Sequence, residues 1–447
     1  MTPTERAIEA LPPHLRRWVV TQDYAAYTPE AHATWRHVLG RLTAHLADRA
    51  HPRYLAGLAA TGIGVDRIPS LDEMNRSLAR AGWSAVGVAG FIPPAVFTEL
   101  QRRRVLAIAT AIRRPEHVDY TPAPDIIHES AGHAPLIADP RYADYLQAIG
   151  EVGCKAIAAL EDLAVFEAIR DLSVVKESTL ATPAEVRHAE GRLEAALAGV
   201  PFASEGARAS RLYWWTAEYG LVGEAAAPRL YGAGLLSSLG ESARCLGSEV
   251  ERRPLRPDCV EVPFDITRMQ PQLFVARDFE QLFDVLQAFA GTLSFRRGGD
   301  HGLEEALRSR TVVHLALPGG LELSGRVAEL FPAPGPLAPG LATALARLEG
   351  PVVRSRAGRA LPPAFHGPGL VAFGRGRLTA PGPFELSLAS GLRLTGFHVG
   401  HGEVLRLTGA LAGRPLALPA WALLELAEGL PSVAGGPADP AFEPGVR

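Results

Sequence analysis

The spacing of apolar residues changes once along this chain of 447 residues. Up to about residue 300, apolar residues recur at the three- and four-residue intervals of buried helix faces, as in residues 278–290. Helix-start signals accompany them. Thr28 precedes a proline, and Ser70 and Thr182 each begin a capping box that ends in a glutamate. We therefore expect residues 1–300 to form a helical domain.

The pattern after about residue 305 is typical of short strands. Residues 311–317 and 321–327 alternate apolar and polar side chains and flank the turn-forming Pro318-Gly319-Gly320. The stretch 296–300 contains two glycines, which favours a connecting loop. The sequence thus predicts a mainly α fold with a small β-rich accessory domain at residues 305–447, whose role it does not indicate.

Composition narrows the classes to which the protein can belong. The formal net charge is −3, which argues against a nucleic-acid partner. No uninterrupted apolar run reaches the roughly 18 residues of a membrane span, and the N-terminus lacks the apolar segment of a signal peptide. The three cysteines show no metal-ligand spacing and are too few for a disulfide framework. These features predict a cytoplasmic protein and say nothing of its oligomeric state.

Two histidines in the segment YTPAPDIIHESAGHAP are candidate metal ligands. His128 and His133 are five residues apart, which on an unbroken α-helix places them about 140° apart. Gly132 and Pro135 flank the second histidine, and both residue types favour a helix end. We expect the helix to stop near Gly132, so that His133 can turn back toward His128. The alternative is a pair of helix-end or core histidines without a metal.

A carboxylate could complete this ligand set. Glu218 lies in the aromatic segment RLYWWTAEYGLV, where a buried carboxylate needs a cation or a hydrogen-bonding partner. Two imidazoles and one carboxylate form the facial triad of non-haem Fe(II) oxygenases, which leaves coordination positions open. A buried salt bridge to an arginine is one alternative. A zinc hydrolase is another, since the same three ligands suit Zn²⁺.

Together with LYGAGLLSSLGE, these two segments resemble the pterin-dependent aromatic amino acid hydroxylases. The resemblance extends over roughly residues 15–295 and includes QDYAAYTPEAHATWRHV and DRIPSLDEM. It implies that the helical domain is an aromatic amino acid hydroxylase-like catalytic domain with Fe(II) on His128, His133 and Glu218. It also implies binding of tetrahydrobiopterin or a related tetrahydropterin, with O2 as co-substrate.

The resemblance carries over to further positions of this sequence. Arg113 matches the arginine that pairs with the substrate's α-carboxylate, and Glu129 matches a carboxylate near the pterin. The implied substrate-binding residues are Arg113, Thr121, Pro124, Trp214, Ser237, Glu241 and Ile266. The implied pterin-binding residues are Gly90, Phe91, Ile92, Phe97 and Glu129.

The resemblance implies ring hydroxylation of an aromatic amino acid, with the pterin supplying two electrons. Ile266 matches a position that is apolar in phenylalanine hydroxylases, and Trp214 fits phenylalanine or tyrosine as substrate. These positions favour a phenylalanine 4-monooxygenase. One alternative is a hydroxylase of tryptophan or tyrosine, or of another ring position, on the same fold. Another is a non-catalytic, iron-binding regulatory protein.

Overall fold

The computed structural model describes residues 1–119, 121, 123–178, 180–266, 268–361, 365–378 and 380–440. They form two compact units. The first unit comprises Met1–Cys154, Glu161–Ala203 and Ala207–Phe289, and the second comprises Lys155–Leu160, Ser204–Gly206 and Ala290–Arg447.

Helices make up most of the first unit. In chain order they are α1 Pro3–Glu9, α2 Pro13–Arg16, α3 Pro29–Leu46, α4 Tyr54–Ala60, α5 Leu71–Leu78, α6 Pro94–Arg102, α7 Ala134–Ile137, α8 Pro140–Lys155, α9 Leu160–Glu177, α10 Pro183–Ala198, α11 Glu205–Tyr213, α12 Ala233–Ser237, α13 Leu239–Arg244 and α14 Phe279–Ala290. Two π-helices, His128–His133 and Trp214–Glu218, adjoin α7 and α11 respectively.

The predicted helix starts are confirmed at atomic detail. The Thr28 hydroxyl accepts a hydrogen bond from the backbone of the first turn of α3. Ser70 and Thr182 both form complete capping boxes, with Glu73 and Glu185 as their partners. These signals act over three residues only, which is why the sequence alone was sufficient to identify them.

Two small sheets complete the first unit. β1 (Ser84–Val88) and β2 (Val105–Ala109) are parallel, so helix α6 forms the crossover between them. A second sheet has the order β4-β3-β6-β5. Its strands are β3 Leu221–Val222, β4 Arg229–Leu230, β5 Glu251–Pro254 and β6 Gln272–Ala276.

The second unit contains one large sheet. Within the described residues it has eleven strands, in the order β12-β13-β14-β16-β11-β9-β8-β7-β17, with β10 and β15 pairing to β9 and β14. The strands are β7 Val312–Ala316, β8 Leu321–Pro332, β9 Thr343–Arg356, β10 Arg359–Ala360, β11 Gly369–Phe373, β12 Gly382–Ser387, β13 Leu392–Gly400, β14 Glu403–Leu411, β15 Arg414–Leu416, β16 Trp421–Ala427 and β17 Ser432–Gly435. Two helices precede the sheet, α15 Ser294–Arg297 and α16 Gly299–Ser309.

The second unit departs from the sequence predictions in two ways. The structure does not confirm that the chain as a whole is mainly α or that its β-rich part is small, because the C-terminal sheet has eleven strands within the described residues. The loop predicted at residues 296–300 is wrong, since α15 and α16 meet there with only Gly298 between them. Gly298 has φ of 60°, a conformation that glycine adopts without strain, so it turns the chain between two helices. The predicted hairpin is confirmed as β7 and β8, which pair antiparallel.

Among the residues that the structure describes, no helix has both the length and the apolar character needed to cross a bilayer.

Candidate metal and substrate site

The three predicted metal ligands lie on the two π-helices. His128 and His133 are the ends of one π-helix, and Glu218 is the last residue of the other. A π-helix closes hydrogen bonds between residues five apart, so residues at that spacing lie nearly on one face. The predicted helix end near Gly132 is therefore wrong, because the helix widens there and continues directly into α7.

Gly132 has a packing role in place of the predicted helix-ending role. A Cβ atom at this position would lie 2.6 Å from the carbonyl oxygen of Ala233 and 2.9 Å from its Cβ. Helix α12 can therefore approach the π-helix only because residue 132 has no side chain. This close approach brings Ser237, at the end of α12, to the histidines.

The ligand atoms of the three residues converge on one point. His128 Nε2 lies 3.2 Å from Glu218 Oε2, and His133 Nε2 lies 3.1 Å from Glu218 Oε1. All three potential ligand atoms lie within 4.8 Å of one another. Two ligands at right angles around one ion, with bonds of about 2.1 Å, lie about 3 Å apart. The distances between the ligand atoms therefore fit a single divalent ion bound by all three residues.

The charge state of the group also suits a cation. Burial works against ionisation of Glu218, but the two histidines attract its negative charge and hold its pKa well below the usual value. Glu218 is therefore ionised at neutral pH. Its side chain is 12 % exposed and that of His133 is 1 % exposed, so water screens the group little.

The hydrogen bonds of Ser237 determine the tautomer of His128. Ser237 Oγ lies 2.7 Å from the carbonyl oxygen of Ala233, which can only accept, so the serine proton points there. The same Oγ lies 3.0 Å from His128 Nδ1 and must therefore accept from it. A neutral His128 therefore carries its proton on Nδ1, which leaves the lone pair of Nε2 available to a metal ion.

Arg113 is held by a carboxylate that the sequence analysis did not identify. Asp125 accepts hydrogen bonds from Arg113 Nε and Nη2 at 2.8 Å each, and from the Arg113 backbone at 2.9 Å. It also accepts from the backbone N–H of His128 at 2.9 Å. Arg113 Nη1 donates to the Ser237 carbonyl. The pair is buried, so one carboxylate positions both the proposed substrate clamp and the start of the helix that carries His128 and His133.

The remaining predicted substrate residues form two groups. Thr121 makes a local turn, since its hydroxyl contacts the backbone of Ala123, and Pro124 is half-buried just before Asp125. Trp214 stacks on Phe264 with ring centroids 4.2 Å apart and an interplanar angle of 10°. It follows that the Trp214 ring is fixed by an aromatic neighbour.

Glu241 and Trp214 are connected through Gln270. The Glu241 carboxylate accepts from the Gln270 backbone at 3.0 Å, and Trp214 Nε1 donates to the Gln270 side chain at 3.3 Å. Burial raises the pKa of Glu241 to about 7. Ile266 is half-buried four residues before Gln270, on the same segment.

Four of the five predicted pterin residues lie on or just before helix α6, and the fifth, Glu129, lies on the first π-helix. Gly90, Phe91 and Ile92 form the loop between β1 and α6, and Phe97 lies on the helix. Phe97 packs edge-on against Tyr213, with ring centroids 5.3 Å apart. Glu129 is buried next to His128, and burial raises the pKa of its carboxyl to about 8, with Glu218 and Asp125 pushing it the same way.

Three residues of the site were not identified from the sequence: Asp125, Tyr213 and Gln270. Asp125 ends the YTPAPD segment, so its position before His128 was a usable signal for a helix cap. Tyr213 is the residue before the second π-helix, and the aromatic cluster around it suggested packing only. Gln270 had no signal, because its role depends on contacts with distant residues.

Comparison with known proteins identifies the family. The profile described as "Biopterin-dependent aromatic amino acid hydroxylase" matches residues 21–166 and 186–297, more than half of the chain. The chain is 33% identical over 280 residues to a phenylalanine-4-hydroxylase from Ralstonia nicotianae, covering 60% of this chain and 72% of that protein. It is 32% identical over 278 residues to one from Chromobacterium violaceum, covering 60% and 76%.

A solved structure is also similar. Chromobacterium violaceum phenylalanine hydroxylase with bound iron(III) and 7,8-dihydrobiopterin shares 31% identity, with a TM-score of 0.49 over 64% of this chain and 90% of that chain. The profile covers both π-helices. The chain therefore belongs to the family of biopterin-dependent aromatic amino acid hydroxylases.

Proposed function

We propose that this protein is a phenylalanine 4-monooxygenase, which converts L-phenylalanine to L-tyrosine with Fe(II), a tetrahydropterin and O2. Family membership supports the reaction class, and the relatives that carry the name phenylalanine-4-hydroxylase support phenylalanine as the substrate. The proposed iron ligands are His128, His133 and Glu218. When bound, the iron and the pterin together activate O2, with one oxygen atom going to the ring, the other to the pterin, and two electrons coming from the pterin.

The observation that carries this proposal is the arrangement of the ligand group. Two imidazole nitrogens and one ionised carboxylate converge at spacings that suit one ion, and the hydrogen bond to Ser237 places the proton of a neutral His128 on Nδ1, so that Nε2 can bind the ion. A triad of this kind occupies one face of the metal and leaves positions for O2 and substrate. A buried salt bridge to an arginine does not account for the group, since Glu218 faces two histidines.

Arg113 is proposed to bind the α-carboxylate of the amino acid. Asp125 accepts hydrogen bonds from Nε and from one N–H of Nη2, and the Ser237 carbonyl accepts one from Nη1. Each terminal nitrogen keeps a second N–H, and within the described residues no partner takes it. These N–H groups are free to donate to the carboxylate of a substrate. The buried ion pair with Asp125 holds the guanidinium in a fixed orientation.

The substrate ring is proposed to bind beside Trp214, with Pro124 and Ile266 as apolar walls. Thr121, Ser237 and Glu241 complete the proposed substrate network. The stack on Phe264 fixes the Trp214 ring, and apolar walls of this kind exclude water from the reaction. Ile266 has no polar group to pair with a phenol, which favours phenylalanine over tyrosine.

The pterin is proposed to lie against Gly90, Phe91 and Ile92, to stack on Phe97, and to face Glu129. We also propose that residues 1–300 are the catalytic domain, that residues 305–447 are an accessory domain, and that the protein acts in the cytoplasm. An aromatic amino acid is the expected small-molecule partner, with no nucleic acid or membrane involved.

Product analysis with defined metals tests this function. Metal-free protein is loaded with Fe(II) or with Zn(II), then supplied with a tetrahydropterin, O2 and one aromatic amino acid at a time. We expect para-tyrosine from L-phenylalanine with Fe(II) only, and none from the Glu218→Gln variant, which keeps the size of the side chain but loses its charge. Oxidation of the pterin is followed in parallel.

Each other outcome would support one of the alternative substrates, products or functions. Preferred hydroxylation of tryptophan or tyrosine would overturn the assignment of the substrate while keeping the chemistry. A product at another ring position would overturn the regiochemistry. Hydrolytic activity with Zn(II), or bound iron without hydroxylation of any aromatic amino acid, would contradict the proposed function and favour a zinc hydrolase or an iron-binding regulatory protein.

A further inference from the structure

The two histidines of the metal site are oriented in different ways. His128 is fixed by the hydrogen bond from its Nδ1 to Ser237. His133 Nδ1 is buried, and among the described residues it has no hydrogen-bonding partner. The second ring nitrogen of a metal-binding histidine ordinarily has such a partner, which sets the orientation of the ring. The orientation of His133 therefore depends on the contact of its Nε2 with Glu218 and on the rings packed against it.

Tyr213 provides part of that packing, beside the ring of His128, whose centroid lies 5.1 Å from that of His133. The Tyr213 ring lies 6.3 Å from the His133 ring, centroid to centroid, at an interplanar angle of 33°. On another side it meets Phe97 in an edge-to-face contact at 5.3 Å and 88°. Tyr213 thus stands between the proposed pterin-stacking residue and a proposed metal ligand. Burial raises the pKa of Tyr213 well above its usual value, so the ring is a neutral phenol.

A buried glutamine holds the phenol of Tyr213. Gln101 is 1 % exposed, and its Nε2 donates to Tyr213 Oη at 2.6 Å. The other end of the amide, Oε1, is buried and has no partner among the residues that the structure describes. Burying an amide with one unsatisfied end costs about 1–3 kcal/mol. An apolar side chain of similar size would fill the same space, but it would leave the buried Tyr213 hydroxyl without this hydrogen bond.

The helix backbone that carries Gln101 is held rigidly. Gln101 and Phe97 are four residues apart on α6 and so lie on the same face of that helix. Helix α6 packs closely on α8 at Gly150, where a Cβ atom would lie 2.7 Å from the Arg102 nitrogen and 2.8 Å from the Thr98 carbonyl oxygen. The backbone at Gln101 therefore has little freedom, and the hydrogen bond transmits that constraint to the Tyr213 ring.

We infer that Gln101 is a positioning residue of the hydroxylase site. Through its hydrogen bond it fixes the ring of Tyr213, which packs against His133. It also links that ring to Phe97, which lies on the same helix as Gln101. The inference rests on the proposed function, because Phe97 and His133 have their roles in it. Gln101 touches neither the metal group nor the substrate residues in any described contact, so its effect passes through the tyrosine.

A double-mutant cycle with a binding measurement tests this inference. The variants are Gln101→Leu, Tyr213→Phe and the double variant. The first readout is the Fe(II) dissociation constant of pterin-free protein, measured anaerobically by competition with a chelator. The second is the amount of tyrosine formed per pterin oxidised. A matched control is Gln22→Leu, because Gln22 also donates to a tyrosine hydroxyl, that of Tyr27, on other elements of the first unit.

We expect Gln101→Leu to raise the Fe(II) dissociation constant about threefold to tenfold, the equivalent of one net hydrogen bond. It should also lower the tyrosine formed per pterin. Tyr213→Phe removes the same bond at constant ring size, so it should give the same shift, and Gln101→Leu should add nothing to it. The control should change neither readout. If Gln101→Leu fails to fold, Tyr213→Phe alone still tests whether the bond matters to the metal.

Two results would overturn the inference. One is an unchanged dissociation constant in both single variants, with only the melting temperature lowered, which would make the bond purely structural. The other is additive effects of the two substitutions, which would show that Gln101 does not act through Tyr213. If wild-type protein forms no tyrosine at all, the proposed function fails, whereas the Fe(II) binding arm still decides the role of Gln101.

Discussion

The buried pair of Arg113 and Asp125 gives the most demanding test of the structure. Asp125 accepts three hydrogen bonds from Arg113 and one from the backbone of His128. The side chains of the pair are 1 % and 3 % exposed, so Asp125→Ala leaves a buried guanidinium with no counter-charge. Breaking one partner of such a pair costs about 3–5 kcal/mol of unfolding free energy. That is a large share of the roughly 5–15 kcal/mol that stabilises a typical protein.

The unfolding free energy lost in Asp125→Ala should depend on the unpaired charge of Arg113 and not on the lost contacts alone. Replacing both partners with apolar residues, as Arg113→Met with Asp125→Leu, removes both buried charges at once. Such replacements are often neutral in other proteins, so we expect the double variant to recover at least half of the loss. The exposed pair of Asp48 and Arg49 is the control, and Asp48→Ala should cost less than about 1 kcal/mol.

Urea unfolding followed by tryptophan fluorescence measures these differences. The fluorescence reports mainly on the first unit, because it contains five of the six tryptophans: Trp18, Trp35, Trp83, Trp214 and Trp215. Metal is removed with a chelator so that changes in ligand affinity do not enter the unfolding free energy. The reasoning is refuted if Asp125→Ala costs no more than the surface control, or if the double variant is as unstable as Asp125→Ala.

Further predictions concern four single substitutions. Ser237→Ala removes the hydrogen-bond acceptor of the proposed metal ligand His128 and should weaken Fe(II) binding about 10- to 100-fold, measured by chelator competition. Gly57→Ala would bring a Cβ within 2.0 Å of a backbone carbonyl of α7 and should cost about 1–3 kcal/mol in urea unfolding. Gly191→Ala, on a helix surface with nothing within 4 Å, should instead stabilise by roughly 0.5–1 kcal/mol. Burial raises the pKa of Glu241 from 4.5 in the unfolded chain to about 7 in the folded protein. The contribution of its protonated carboxyl to the unfolding free energy is therefore complete below pH 4.5 and is lost as the pH rises through 7. Glu241→Gln should therefore abolish a loss on the order of 3 kcal/mol across this range, seen in unfolding curves at a series of pH values.

Local signals in the sequence predicted local structure well. The capping boxes at Ser70 and Thr182 and the hairpin around Gly319 are formed by residues within a few positions of one another. The predicted grouping of His128 and His133 also agrees with the structure, but for a different reason. The prediction used α-helical geometry and needed a break, whereas the π-helix places residues five apart on one face without one.

Long-range contacts were beyond the reach of the sequence. Gln101 lies among other polar residues of its helix, and its partner Tyr213 is 112 positions away, so nothing local singles it out. The large C-terminal sheet was underestimated for a similar reason. Its strands β11 and β16 pair in parallel although more than 40 residues separate them, and no turn signal marks such a pairing. The family resemblance identified the reaction, while the contacts that hold the site in place came only from the structure.

The central claim is that this protein transfers one oxygen atom from O2 to the ring of L-phenylalanine. The most direct measurement is a reaction under heavy-isotope oxygen gas in ordinary water, with Fe(II) and a tetrahydropterin, followed by mass spectrometry of the amino acid product. We predict para-tyrosine that carries one heavy oxygen atom in its phenol, and none from Glu218→Gln. Tyrosine with unlabelled oxygen, or no hydroxylated product from iron-loaded wild-type protein, would contradict the claim.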